Sequence, residues 1–301
     1  MGLHLGLVLP NYGALLDPEG LASAALAAEE AGFDSGWVTD HLLVPAEHAP
    51  VYGHIAEALV SLGFLAARTS RLQLGVSALV VPQRSPLVAL KQLASLDFLS
   101  GGRIVTAVAA GWMEGEFRTL GASFERRGRL MDDWLELAAS VLAQAPGRVA
   151  HEGGIPVGDA WLAPGLVRPG GLGLWVAGVS RVTLPRAART GVWHPVALPP
   201  DELGRLASEF RRLRPGGRVV LRIGAHFAPE PKRLGTDDHG RHALVGPPEW
   251  LAEQLAEYVE EGCDGFVVDV GHELPGLEER ARRFAEEVRP LVEAAEGELA
   301  G

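Results

Sequence analysis

Short, mostly apolar runs recur along the chain, and between them apolar residues return every three or four positions. The runs are His4–Leu9, Ser35–Thr39, Leu72–Ala78, Ile104–Ala109, Gly173–Gly178, Val192–Val196, Arg218–Phe227 and Gly265–Val270. Each is long enough for one strand. Most are apolar at consecutive positions, as a parallel strand must be when both of its faces are covered. The stretches between them carry helix signals. Asp17 before Pro18 predicts a helix start, with Asp17 as N-cap and Pro18 in the first turn. That helix runs to Ala31. Gly32 stops it, because only glycine takes the left-handed cap cheaply, and Phe33 packs back on it. Helices are predicted over Ile55–Thr69 and Pro86–Leu99, the second stopped at Ser100-Gly101-Gly102-Arg103. A charged helical region follows Gly111-Trp112-Met113-Glu114 as far as Leu142. The remaining helices hold Arg186–Arg189, closed by Gly191, and run from Pro200 to Leu213, from Pro248 to Gly262 and from Leu277 to Glu298.

Eight strand–helix units in 301 residues predict an α/β fold, a (β/α)8 TIM barrel, as a single domain over residues 1–301. The Gly/Pro-rich stretch 145–171 breaks the alternation and is an insertion after the fourth βα unit. A Rossmann sheet is the alternative, but no G-x-G-x-x-G follows the first strand.

Charge then narrows the function. With 27 basic and 38 acidic residues the net charge is −11. That disfavours nucleic acid and anionic membrane as partners, since both need a basic face. One cysteine, Cys263, excludes an internal disulfide and a multi-cysteine zinc site, and its setting reads as core. No apolar run matches a membrane span and no signal-peptide pattern opens the chain, so a cytoplasmic protein is expected.

Candidate chemistry sits at strand ends. The second strand delivers Asp40 and His41 at its C-terminal end, where barrel enzymes hold their reacting groups. One reading is an acid/base histidine with Asp40 setting its tautomer and charge. The plainer alternative is an aspartate that caps the next loop and a histidine that satisfies a carbonyl. Asp237-Asp238-His239-Gly240-Arg241-His242 is too loosely spaced for a metal site, and reads as a substrate loop or lid. No metal is expected. His48 and His54 could face substrate, with solvated loop residues as the plainer reading. Arg126, Arg127 and Arg129 could bind an acidic cofactor tail, with pairing to Glu125, Asp132 and Asp133 as the plainer reading.

Several motifs, taken in order, resemble the luciferase-like monooxygenase superfamily. They are Gly6–Gly13, Glu30–Ser35 with Trp37 and Asp40-His41, Leu96–Arg103, Ala109–Phe117 and Leu120-Gly121. Gly191-Val192-Trp193-His194-Pro195 resembles the branch that uses the deazaflavin coenzyme F420. The resemblance implies a (β/α)8 barrel, hydride transfer between a deazaflavin and a small organic substrate, and a homodimer. An FMN-dependent monooxygenase is the alternative. The resemblance also implies three cofactor-holding elements. Ser77-Ala78 would form a bulge with a non-prolyl cis peptide behind the ring. Gly111 and Trp112 would follow the fourth strand, and the amides of Gly178, Val179 and Ser180 would take the phosphate. The last element departs from the family pattern. A helix capped at Ser180 would place Pro185 in its interior, at a cost of about 3 kcal/mol, which a cap at Thr183 relieves. That departure motivates a further alternative, a non-catalytic barrel with a decayed phosphate site.

Overall fold

The computed structural model describes residues 2–14, 16–168, 171–234, 243–272 and 275–300. In chain order the elements are β1 (His4–Val8), α1 (Pro18–Glu30), β2 (Ser35–Val38), α2 (Ala49–Tyr52), α3 (Ala58–Ala66), β3 (Gln73–Val80), α4 (Pro86–Ser100), β4 (Ile104–Ala109), α5 (Glu114–Thr119) and α6 (Arg127–Gln144). Then come β5 (Gly147–His151), β6 (Val157–Leu162), β7 (Gly173–Ala177), α7 (Leu184–Thr190), β8 (Val192–His194), α8 (Pro200–Leu213) and β9 (Arg218–Phe227). The last are β10 (Lys232–Leu234), β11 (Ala243–Gly246), α9 (Pro248–Glu260), β12 (Gly265–Asp269), α10 (Leu277–Arg283) and α11 (Arg289–Ala300). The main sheet runs β12-β1-β2-β3-β4-β7-β8, and β9 pairs with both β8 and β12. This is the order of a (β/α)8 barrel, and its strands are the eight apolar runs of the sequence.

The insertion is a hairpin. β5 and β6 pair antiparallel in their own two-stranded sheet, which its Gly/Pro content conceals. The polar stretch after β9 also holds two short strands, β10 and β11, paired antiparallel. The candidate metal or lid residues Asp237–His242 lie outside the described residues. The charged region after Met113 is two helices, because the chain turns at Gly121 with φ of 70° before α6 begins.

The chain forms two compact units. The first comprises residues 1–10, 17–37 and 175–301. Here Asp17 caps α1 as predicted, accepting the Gly20 N–H at 2.9 Å, and Gly32 has φ of 78°. Phe33 is buried, with its ring 6.4 Å from that of Phe284. Its core holds a stack of rings. Trp37 lies 4.6 Å from Trp175 and 5.5 Å from His194, and His4 meets Trp175 edge-on at 5.3 Å. Trp37 Nε1 donates to Ser35 Oγ, and a Cβ on Gly6 would come within 2.5 Å of that nitrogen. His194 Nδ1 donates to the Val220 carbonyl at 2.6 Å. Cys263 is core, as read from the sequence, and burial pushes its thiol up to about 12.

The second unit comprises residues 11–16 and 38–174. Arg103, in the stop after α4, explains why that turn is built as it is. Its guanidinium donates to the carbonyls of Ser100, Leu72 and Ala66 and to Thr69 Oγ1, tying α4, β3 and the end of α3. Gly101 takes the left-handed cap with φ of 70°. No helix among the described residues is long and apolar enough to cross a membrane.

The buried imidazoles make stability depend on pH. Burial lowers His194 to about 3 and His4 to about 4. An unfolded chain takes up these two protons below about pH 6.5, whereas the folded chain does not until those lower values. Stability is therefore complete above that pH and falls as pH drops, by up to about 1.4 kcal/mol per unit for each ring. Urea unfolding at about pH 7 and about pH 5 measures the slope. His194→Asn should remove roughly half of it. An unchanged slope in that variant would show that His194 is not held neutral.

Candidate active site

The strand-end residues of the second unit make the site. Beyond β2 the chain carries Thr39, Asp40 and His41, all buried. Asp40 and His41 take different partners. The Asp40 carboxylate receives both arms of Arg84, at 2.5 and 2.8 Å, and the Val80 N–H at 2.9 Å. Burial outweighs these donors and pushes the Asp40 carboxyl up from the ordinary aspartate range, with Arg84 and the Val80 N–H opposing it. Arg84 also reaches Glu57 Oε1 at 3.2 Å, and Glu57 caps α3 through Val60 N at 2.7 Å. Asp40 thus ties the end of β2 to the end of β3 and, through Arg84, to the start of α3.

The group on His41 is Glu116, which corrects the expected Asp40–His41 pairing. His41 Nδ1 lies 2.9 Å from Glu116 Oε2. An ionised carboxylate only accepts, so Nδ1 carries a proton, and in the neutral ring the lone pair is then on Nε2. Glu116 is 1% exposed, on α5. Its Oε1 accepts Leu42 N at 2.6 Å and Leu43 N at 3.2 Å, and its Oε2 accepts Gln83 Nε2 at 3.2 Å. Burial pushes the Glu116 carboxyl up. The bonds from His41, Leu42 and Gln83 overcome that and hold it below the ordinary glutamate range. Gln83 Oε1 stays buried with no hydrogen-bond partner among the described residues. The signal for Glu116 was its phase: it shares a helix face with Met113 and Leu120, so a carboxylate interrupts an apolar stripe.

Aromatic rings wall this group. Tyr52 lies 4.4 Å from the His41 ring, and Tyr52 also packs with Tyr12 and Met113. Trp112 is 50% exposed and stands edge-on to His41 at 6.1 Å and to His48 at 5.5 Å. His54 reaches the Gly13 carbonyl at 3.1 Å. Gly111 has φ of 88°, and a Cβ there would meet Val80 Cγ1 at 2.6 Å and Phe117 Cε2 at 2.7 Å. Packing alone therefore demands glycine at Gly111. The Ser77-Ala78 peptide is cis, and the β3–β4 register shifts between Val76 and Leu79. Arg127 covers the Phe124 ring at 3.7 Å and Arg129 lies 3.8 Å from Asp133, as surface residues do.

Gly178, Val179 and Ser180 belong to the first unit. Gly178 has φ of 142°, and its carbonyl accepts Trp193 Nε1 at 2.8 Å. Ser180 Oγ lies 3.3 Å from Thr183 Oγ1. From the extended Ser180 a 3-10 turn over Arg181–Thr183 leads into α7, so Pro185 falls in the first turn of α7 while Thr183 makes no side-chain cap. Arg181 is spent on Glu209, at 2.8 and 3.0 Å.

The model of the luciferase-like monooxygenase family matches residues 8–228. The chain belongs to that family, one of oxidoreductase enzymes. An uncharacterized protein of Mycobacterium tuberculosis is 25% identical over 285 residues, covering 86% of this chain and 96% of that one. The F420-dependent glucose-6-phosphate dehydrogenase of Kineococcus radiotolerans is 43% identical over 95 residues, 31% of this chain and 27% of that one. The structure of an F420-dependent secondary alcohol dehydrogenase in complex with an F420-acetone adduct matches with a TM-score of 0.80. It is 18% identical and covers 97% of this chain and 99% of that one, which speaks to the fold.

Glu116 should prove costly to neutralise. Glu116→Gln keeps the shape but turns an NH2 against a donor, and should cost about 2 kcal/mol at neutral pH. Because the Glu116 carboxyl is held low, its contribution is present above about pH 4.3 and is lost as pH falls through the folded value. The stability gap between wild type and variant, by urea unfolding, should therefore narrow in acid. A gap that stays constant down to pH 3 would contradict an ionised Glu116.

Proposed function

We propose that this single-domain protein transfers a hydride between coenzyme F420 and a small organic substrate, in the cytoplasm. The observation that carries the reading is the His41–Glu116 pair at the end of β2, with Nδ1–H fixed and Nε2 open to a proton. The 43% identity to an F420-dependent enzyme over 95 residues supports the deazaflavin over FMN. The donor set fits such a group. The two carboxylates at the site already have hydrogen-bond donors, the mouth offers the half-exposed Trp112, and Gln83 Oε1 lacks a partner among the described residues. Ser77, Ala78, Gly111 and Trp112 are assigned to the ring. Gly178, Val179 and Ser180 keep the phosphate assignment that the family resemblance implies. When bound, the cofactor supplies or accepts the hydride.

His41 moves the proton. Nε2 takes it from a substrate hydroxyl on oxidation, or returns it on reduction. Glu116 holds the tautomer and stabilises the imidazolium when it forms. Asp40 does not touch the ring and acts through the backbone, by anchoring the strand end to Arg84 and Val80.

Parallel fluorescence titrations with FMN and coenzyme F420 test this. Tight binding of F420 with weak binding of FMN is expected, and His41→Asn should leave the affinity within a few-fold while removing turnover. Preference for FMN moves the reading to an FMN-dependent monooxygenase. Binding of neither at high micromolar concentration supports a barrel that has lost its phosphate site.

We also propose a homodimer built on α3 and α4. α3 has no charged residue, its Val60 is 70% exposed, and Gly63 sits against Leu96 of α4. Val88, Phe98 and Leu99 are exposed on α4. In a chain of net charge −11, such a face lets two copies meet without repulsion. Light scattering should give a dimer, and Val60→Asp a monomer of unchanged fold. A monomeric wild type at micromolar concentration would overturn it.

A further inference from the structure

We infer that Asn11 is the positioning residue for His41, acting as a clasp on both ends of the loop that carries it. The inference rests on the reading of His41 as the proton-transfer group. Asn11 is fully buried. Its side chain replaces a peptide group where β1 has ended. Up to Leu9 the parallel ladder is made by backbone, with Leu9 N donating to Trp37 O at 2.8 Å. At the next step the Asn11 amide takes over. Oδ1 accepts Thr39 N at 2.8 Å, and Nδ2 donates to Thr39 O at 2.8 Å. Both polar groups of the residue two before His41 are thereby pinned by one side chain.

The second Nδ2 hydrogen goes to the other end of the loop, to Ala56 O at 3.1 Å. Ala56 N donates to the Asn11 carbonyl at 2.9 Å, Gly13 N donates to His54 O at 2.9 Å, and Tyr12 bridges Ile55. Residues 39 and 56 are therefore held at the same amide. Between them lie His41, Leu42 and Leu43, which bond Glu116, and Tyr52, which packs on the His41 ring. The amide has only one useful orientation. Turned over, it would set NH2 against the Thr39 N–H and an oxygen against two carbonyls. Asparagine is the residue this geometry requires. Aspartate keeps one bond and puts a charged oxygen against Thr39 O and Ala56 O. Alanine keeps none.

Two spectroscopic readouts on the purified full chain test the clasp. In wild type the His41 ring nitrogens should show one neutral tautomer, protonated at Nδ1. In Asn11→Ala and Asn11→Asp they should show a mixture of tautomers. Exchange of the Leu42 amide, whose acceptor is Glu116 and not Asn11, should speed up by about tenfold or more in both. A residue that only stabilised the fold would leave the tautomer alone and would speed Leu42 exchange no more than that of the other protected amides. If either variant folds and keeps the wild-type His41 pattern and Leu42 protection, the inference is wrong. If neither variant folds, Asn11 is needed for the fold and not for aiming His41, and the inference also falls. Neither readout needs cofactor. FMN and F420 titrations of the same wild-type sample therefore separate failure of this inference from failure of the proposed function.

Discussion

A carboxylate buried at Glu116 is the constraint on which the candidate site depends. An ionised carboxyl taken out of water costs several kcal/mol unless its lone pairs are filled. Here four donors fill them: His41 Nδ1, Leu42 N, Leu43 N and Gln83 Nε2. Those donors come from the loop after β2 and the turn after β3, so satisfying one charge sets the path of two segments and the tautomer of one histidine. Asp40 imposes a second demand of the same kind, answered by Arg84 and Val80 N only in part, since burial still pushes its carboxyl up. Two buried acids on either side of one short stretch leave that stretch little freedom, which is what the proton-transfer role proposed for His41 needs.

That geometry explains where sequence reading went astray. Asp40 and His41 are neighbours in the chain, and neighbours leaving a strand point to opposite sides. Adjacent residues are thus poorly placed to pair with each other, and each found a partner far off, Arg84 and Glu116. The true partner of His41 lay 75 positions on, in a stretch whose many charges masked one buried acid among exposed ones. Local signals fared better because their physics is local. Asp17 before Pro18, Gly32 after the Ala-rich run, and the glycine pair before Arg103 each meet a requirement set within one turn. Pro185 belongs to the same class, since a proline's missing donor decides where an α-helix can start. The β5–β6 hairpin was not legible. β6 is exposed at four of six positions and β5 alternates, so the continuous apolar signal that marks barrel strands is missing.

The residues that suggested a cofactor call for a different weight. Trp193-His194-Pro195 resembles the deazaflavin branch, yet Trp193 and His194 are fully buried. Trp193 bonds the Gly178 carbonyl and His194 bonds the Val220 carbonyl within a stack of tryptophans. Burial keeps His194 neutral, so it cannot serve as a charge for a bound anion. Gly111 and Gly178 behave likewise: neighbouring side chains already forbid a Cβ at both. A motif can thus be shared between family members because the barrel packs only one way around it, whichever cofactor lies at the mouth. Under the proposed function, cofactor choice then falls to groups that reach solvent at the barrel strand ends, such as the half-exposed Trp112, and to the histidine bonded to Glu116.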